Sequence, residues 1–261
     1  MFIPIHDGKP IKHISLQWVT LGIIALNIIV YLLVNVAQLT EVKFATIAFG
    51  HIPSVSYDRV NLPTQYQIFP EYLYGLTALT ASFLHANFMH IAGNMLFIWV
   101  FGDNVEDAMG HWRFLIFYLL CAYAASWFHA FSFPESNAPL IGASGAAAGI
   151  VAAYLMLHPK MKVWVLFLGR FPLKLPAFIL LGIWIAFQGV MYIADSGSNV
   201  SWAAHVGGII AGIVLVGIFK RKSVPLFDRQ VIIPEAVEIS PEATLPEGVL
   251  PNSSVWGRGT K

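Results

Sequence analysis

Apolar residues in this chain fall into long, nearly unbroken runs rather than alternating stripes. A helix needs about 20 apolar residues to cross a hydrocarbon core about 30 Å thick. Runs of that kind occupy 17–37, 88–105, 113–132 and 201–219, and a fifth, at 176–193, is adequate. A sixth, at 144–157, is apolar and rich in small residues but short. At 1.5 Å per residue it covers only about 21 Å, so one of its ends stops inside the membrane. The run at 163–171 is too short to span and is closed by Pro172 and Pro176. It reads as an interfacial or re-entrant piece on the side where the fourth segment ends. The pattern predicts an all-α membrane protein: a bundle of six transmembrane helices with a long first outer loop over about 40–85.

Composition agrees. Hydrophobic residues make up 57% of the chain and charged residues 11%, against roughly 25% charged in a soluble domain; most of the surface therefore faces lipid. A net charge of +1 gives no sign of a nucleic-acid partner. Cys121 is the sole cysteine, which excludes an internal disulfide and a cysteine metal cage; in its apolar run it reads as a small buried hydrophobe. The first apolar run is too long for a cleavable signal, and no small-residue cleavage site follows it.

Positive residues collect on the cytoplasmic side of membrane proteins. With six spans, one side holds Lys9, Lys12, Arg113, Lys160, Lys162, Arg170, Lys174, Lys220, Arg221 and Lys222, while the other holds only Lys43 and Arg59. Both termini are thus expected in the cytoplasm. The expected division is a cytoplasmic N-terminal segment (1–16), a membrane domain (17–222) and a flexible cytoplasmic tail (223–261), where prolines appear and apolar periodicity is lost. The first outer loop is rich in aromatics (Phe44, Phe49, Tyr57, Tyr66, Phe69, Tyr72 and Tyr74), a composition suited to the headgroup region. The absence of an Arg- and Ser-rich transit segment favours a bacterial plasma membrane over an organelle.

Ionisable and amide groups inside spans are costly and are candidates for function. His90 and Asn94 in the second segment, Ser144 opening the fourth and His205 in the sixth stand out. The second, fourth and sixth segments run inward and the fourth is short, so all four groups fall at a similar depth, Ser144 roughly 10 Å below the outer surface. Gly145, Gly149 and Ala153 form a small-residue stripe on the fourth segment, and Ala204, Gly208 and Gly212 form another on the sixth. Such stripes let two backbones approach closely, which would bring hydroxyl and imidazole together.

A serine hydroxyl is a poor nucleophile until a base within about 2.6–3.2 Å takes its proton, and His205 is the natural base. Gly142 and Gly145 flank Ser144 and permit a tight turn with room for a substrate backbone. The free N–H groups and dipole of a helix N-terminus favour an oxyanion forming beside Ser144. His90 and Asn94, four residues apart, share a helix face and can both donate into one site, as an oxyanion hole requires. No third member is evident. Asp103, Glu106 and Asp107 sit roughly 20 Å along the helix from His90, and Asp195 lies in a loop, so a Ser-His dyad is expected. Taken singly, each group has a packing explanation: serine between glycines, histidine and asparagine as interhelical hydrogen bonders. His85 reads as loop structure near the site; His51, His111, His129 and His158 read as interfacial; Trp99, Trp184 and Phe187 as lipid-facing or packing groups. No His-Glu-x-x-His is present, which argues against a zinc protease, and no paired repeat halves suggest a transporter.

The residues His90-Ile91-Ala92-Gly93-Asn94, Phe101-Gly102-Asp103-Asn104-Val105-Glu106, Gly142-Ala143-Ser144-Gly145 and Ala204-His205-Val206-Gly207-Gly208 together resemble the rhomboid family of intramembrane serine proteases across about 85–219. The resemblance implies that Ser144 attacks the peptide, that His205 serves as base and then acid, and that His90, Asn94 and the Ser144 backbone N–H stabilise the oxyanion. It implies single-span membrane-protein substrates entering sideways by the second and fifth segments, and neither cofactor nor metal; it leaves the oligomeric state open. Two positions depart from the pattern. Some rhomboids stack a tyrosine on the catalytic histidine where this chain has Ala148, and the first outer loop lacks the Trp-Arg pair of some members. The alternative from another class is a catalytically silent rhomboid-like protein that binds membrane clients.

Overall fold

The computed structural model describes residues 2–167, 169–194 and 200–228. Asp195 and positions 229–261 of the expected tail lie outside the described residues. The chain opens with strand β1 (Phe2–His6) and helix α1 (Trp18–Tyr31), which continues through a π-helical turn, Leu32–Val36. The loop that follows carries short helices α2 (Val42–Phe49), α3 (Pro53–Ser56) and α4 (Thr77–Thr80). Helices α5 (Phe88–Met109), α6 (His111–Ser132) and α7 (Ser144–Leu157) come next, then strands β2 (Lys162–Phe167) and β3 (Phe171–Pro176), then α8 (Ala177–Ala194) and α9 (Trp202–Phe219).

The molecule is a mostly helical membrane bundle. Among the described residues, Trp18–Val36, α6, α8 and α9 are each long and apolar enough to cross a membrane. A fifth candidate is α5 taken with the piece before it, Glu71–Phe83, from which it is bent by 89°. The six-span count of the sequence reading additionally requires α7, which has only 14 residues.

Helix α7 is the hub. Gly145 through Tyr154 and Leu157 are all buried, and a helix apolar on every side belongs in the interior. It packs on α5, α6, α8 and α9. Between lipid-exposed helices there is no water to expel, so association rests on close van der Waals contact and interhelical hydrogen bonds. The small residues of α7 supply the first. A Cβ added at Gly208 or Gly212 of α9 would collide with the backbone of Gly145 or Gly149 of α7, and one added at Gly149 would strike Cys121 of α6. Cys121 is buried and free, the packing role expected of it.

The run at 163–171, expected as an interfacial or re-entrant piece, forms strand rather than helix. It forms most of a hairpin: β2 pairs antiparallel with β3, Lys162 opposite Pro176 and Phe167 opposite Phe171, and β1 adds to the other edge of β2. Val163 and Val165 are buried while Lys162 and Trp164 are exposed, the period-two alternation of a strand with one face covered. The hydrophobic run was real; its period made it a strand.

Polar groups tie down the end of the bundle far from Ser144. The buried Glu106 carboxylate accepts from the backbone N–H groups of Val19 and Thr20 at 3.0 and 2.8 Å and from Thr20 Oγ1 at 2.6 Å. It thereby caps the first turn of α1, where unpaired N–H groups and the helix dipole favour an anion. Asp107 accepts from the backbone N–H groups of Lys12, His13 and Ile14. Asp7, from the N-terminal segment, accepts from Asn104 Nδ2 and from the Tyr154 hydroxyl, each at 2.8 Å. On the C-terminal side the chain stays attached through Asp228: the N–H groups of Phe227 and Asp228 donate to the carbonyls of Met156 and Leu157, two of the otherwise unpaired acceptors at the end of α7. His158, buried here, meets Lys9 Nζ and Asp228, and burial followed by the Lys9 charge holds its pKa below the usual histidine range.

Candidate functional site

Two capped helix starts and one loop converge on the N-terminus of α7. Asn87 caps α5, its side chain accepting from the His90 N–H at 2.9 Å; Asn is among the preferred N-cap residues. Ser201 caps α9, accepting from the Ala204 N–H at 3.2 Å. These caps set where α5 and α9 begin, and so the depth of His90 and His205 within their first turns. The turn into α7 is pinned from the loop side: Leu140 exchanges backbone hydrogen bonds with His51, and the Gly142 N–H donates to the Ala81 carbonyl at 2.8 Å.

Gly142 has φ +118°, a conformation L residues with side chains rarely adopt. A Cβ there would lie 2.6 Å from His90 Nε2 and 3.6 Å from Asn94 Nδ2. The glycine therefore serves both the turn and the approach of two donors to the start of α7. Gly145, next to Ser144, faces the carbonyl of Ala204, next to His205, so closely that a Cβ would sit 3.3 Å from that oxygen. Ser144 and His205 each stand one residue from this contact. His90, Asn94, Ser144 and His205 are thus brought to one locus by α5, α7 and α9. Ser144, His90 and His205 are partly exposed and Asn94 is buried.

His85, read from the sequence as loop structure near the site, lies in it. Its Nε2 is 2.9 Å from Asn94 Nδ2 and 3.5 Å from the Ala143 N–H, and its ring packs edge-on to His90 with centroids 5.1 Å apart. It ties the donor helix α5 to the residue before Ser144. The spacing of five from His90 suggests divergent directions on a helix, but α5 starts at Phe88, so His85 is free of helical geometry and turns back. Gln188 of α8 was not expected from the sequence. Its Oε1 accepts from His205 Nδ1 at 2.8 Å. An amide inside an apolar span is the signal that marks it. The rings of Trp184 and Trp202 also border His205, at centroid distances of 6.4 Å (29° between planes) and 5.8 Å (90°). Trp184, expected as a lipid-facing or packing group, packs on the histidine and against the cluster of Ala148, Ala152 and Ile209.

His51, His111 and His129, at loops or span ends as expected, each have a side-chain partner. His51 Nδ1 lies 3.0 Å from Thr77 Oγ1 and its ring stands edge-on to Trp127; burial, with the His129 charge, pushes its pKa down to about 4. His129 Nδ1 meets Ser201 Oγ at 2.7 Å, bracing the cap of α9 from α6. His111 Nδ1 meets Glu106 at 2.5 Å. Among the described residues no group of three or more His, Cys, Asp or Glu side chains could hold a metal ion. Asp103, Glu106 and Asp107 belong to the far end of α5, away from His90.

A family model described as the rhomboid domain matches residues 73–222, a stretch containing every residue of this site. The chain is 31% identical to the mitochondrial rhomboid protein 1 of Saccharomyces cerevisiae over 57% of its own length and 43% of that protein's. It is 30% identical to the mitochondrial rhomboid-like protein 12 of Arabidopsis thaliana, over 51% and 43% of the two chains. It is 31% identical to the rhomboid protease GluP of Bacillus subtilis, over 51% and 24%. The chain thus spans less than half the length of these three relatives. With the family model covering more than half of the chain, this protein belongs to the rhomboid family.

Proposed function

We propose that this protein is an intramembrane serine endopeptidase that hydrolyses peptide bonds in or near the transmembrane segments of single-span membrane proteins. What supports the reading is that Gly145, next to Ser144, meets the carbonyl of Ala204, next to His205, while a Cβ at Gly142 would meet His90 and Asn94, all at the N-terminus of a 14-residue helix. Ser144 Oγ attacks the scissile carbonyl as His205 Nε2 takes its proton. The negative charge forms at the start of α7, where the Ser144 N–H, a ring N–H of His90 and the second N–H of the Asn94 amide converge on it. His205 then gives its proton to the leaving amine, and water, activated by the same imidazole, releases the acyl enzyme. Membership of a family that includes a protein named as a protease supports the reading.

The Lys- and Arg-rich side of the bundle faces the cytoplasm on this reading, with both termini there, in a bacterial plasma membrane; reporter fusions at each terminus that became active outside the cytoplasm would reverse that orientation. The membrane domain is 17–222, and the segment that follows stays packed on it through Asp228.

The test is labelling of the detergent-solubilised chain with a serine-directed fluorophosphonate, beside Ser144→Ala and His205→Ala. Labelling lost in both variants supports the dyad. A folded parent that neither labels nor cleaves a single-span reporter in liposomes moves the assignment to a client-binding protein without activity.

A further inference from the structure

Resting on the reading above, we infer that Gln188 is a third member of the site, a positioning residue that sets the tautomer and ring orientation of His205. Helix α8 is mostly lipid-exposed, with Ala177, Leu180, Leu181 and Gln188 its buried residues. Gln188 is thus a buried amide on a helix whose other faces are apolar. Burying an amide costs free energy unless its hydrogen bonds are made, and both ends of this one are used.

The directions of those bonds follow from chemistry. Gln188 Nε2 lies 3.2 Å from the Trp184 carbonyl oxygen, which can only accept, so the NH2 end of the amide must face it. That leaves Oε1 toward His205, 2.8 Å from Nδ1. A carbonyl oxygen can only accept, so Nδ1 must carry the proton. In a neutral imidazole the other nitrogen is then unprotonated, and Nε2 is the atom a general base needs toward Ser144. Trp184 takes part twice: its carbonyl fixes the amide, and its ring flanks the imidazole at 6.4 Å.

The arrangement also accounts for a neutral group here. A carboxylate in the same place would be a buried charge in a lipid-facing wall, costly whenever His205 is neutral. An amide orients the imidazole without that penalty, as asparagine does in the Cys-His-Asn proteases. The acidic residues noted from the sequence need not approach the site at all: the third position is filled, by an amide.

The inference is tested on the full chain in liposomes with a cleavable single-span reporter, comparing parent, Gln188→Leu and Gln188→Glu. Leucine removes the acceptor and is expected to lower kcat by on the order of 10²-fold with KM nearly unchanged. Glutamate restores an acceptor, so activity should recover above the leucine variant. Its charge favours the imidazolium, so the acid limb of the kcat profile should move to higher pH, because His205 acts only when unprotonated. The titratable side chain whose charge reaches His205 among the described residues is His90, and the shift should persist in a His90→Gln background. A leucine variant within about threefold of the parent, a glutamate variant no better than leucine, or an unmoved acid limb overturns the inference. Should the variants not fold, the parent alone decides. Ring-15N spectra, assigned with His205→Ala, should show the proton on Nδ1, and a proton on Nε2 overturns the inference. A parent that folds but does not cleave sinks the proposed protease activity, while the tautomer measurement still judges Gln188.

Discussion

Helices α5 and α7 each carry polar groups at both ends, and the two ends are built on opposite plans. At the far end, Asn104, Glu106, Asp107 and, from α7, Tyr154 are buried and pair with backbone N–H groups or with Asp7. At the near end, His90 and Ser144 are partly exposed, and the pairs fixed there are His85 to Asn94 and Gln188 to His205. Intramembrane polarity alone therefore does not mark chemistry. Paired groups at the far end fasten segments together; partly exposed groups beside a turn that backbones can approach are the candidates for chemistry. Burial at the far end, away from competing water, strengthens each bond made there and penalises each one lost.

Matched substitutions on α5 break the comparison most sharply. Asn94→Ala is expected to reduce kcat by about 10²- to 10³-fold, the usual cost of an oxyanion donor, with little change in thermal midpoint. Equal losses of kcat and stability would put Asn94 with the fastening groups. Glu106→Ala acts on the other side: it strands the N–H groups of Val19 and Thr20 in the interior, and unfolding free energy should fall by about 3 kcal/mol, read as a lower midpoint in detergent, while kcat per folded molecule holds.

A third prediction uses His51, which pins the loop before Ser144. Its pKa is about 4 in the folded protein, below the ordinary value near 6.5, so between those pH values the unfolded chain binds more protons. Stability is then fully present above about pH 6.5 and declines as pH falls toward 4. At pH 5 the His51 share of that loss is about 2 kcal/mol. Thermal midpoints at pH 7.5 and pH 5 should differ less in His51→Gln than in the parent; equal differences would remove His51 from the account. The smallest effect belongs to Tyr154→Phe. It removes one of two side-chain donors to Asp7 Oδ2 and should cost about 1 kcal/mol with activity intact, so a large activity loss would mean that the two ends of α7 are coupled.

Much of the helical plan was legible because apolar length is a property of the chain itself. The runs expected at 17–37, 113–132, 176–193 and 201–219 match the helices Trp18–Val36, His111–Ser132, Ala177–Ala194 and Trp202–Phe219 closely. The short fourth segment begins at Ser144 as expected, because the glycines around it and the apolar run after it leave one place for a helix to start. The hairpin at 162–176 was legible in principle from the alternation of Val163 and Val165 with Lys162 and Trp164, a period overshadowed by overall hydrophobicity. The docking of the N-terminal segment was not. Nothing local in Asp7 or in the backbone of Lys12 through Ile14 says that their partners lie on α5 and α7, about ninety residues or more away.

The amino-acid order alone determined that this is a helical membrane protein, which polar groups are anomalous in lipid, and which small residues allow helices to touch. Those follow from composition and spacing, because solvation by lipid and the 3.6-residue turn act on each segment separately. Only the tertiary structure decided that His85 turns back onto Asn94, that an amide on α8 meets His205, and that the acidic end of α5 caps α1. Those are pairings between segments, and a hydrogen bond across helices depends on the rotation and offset of each helix, which packing against all the others sets at once.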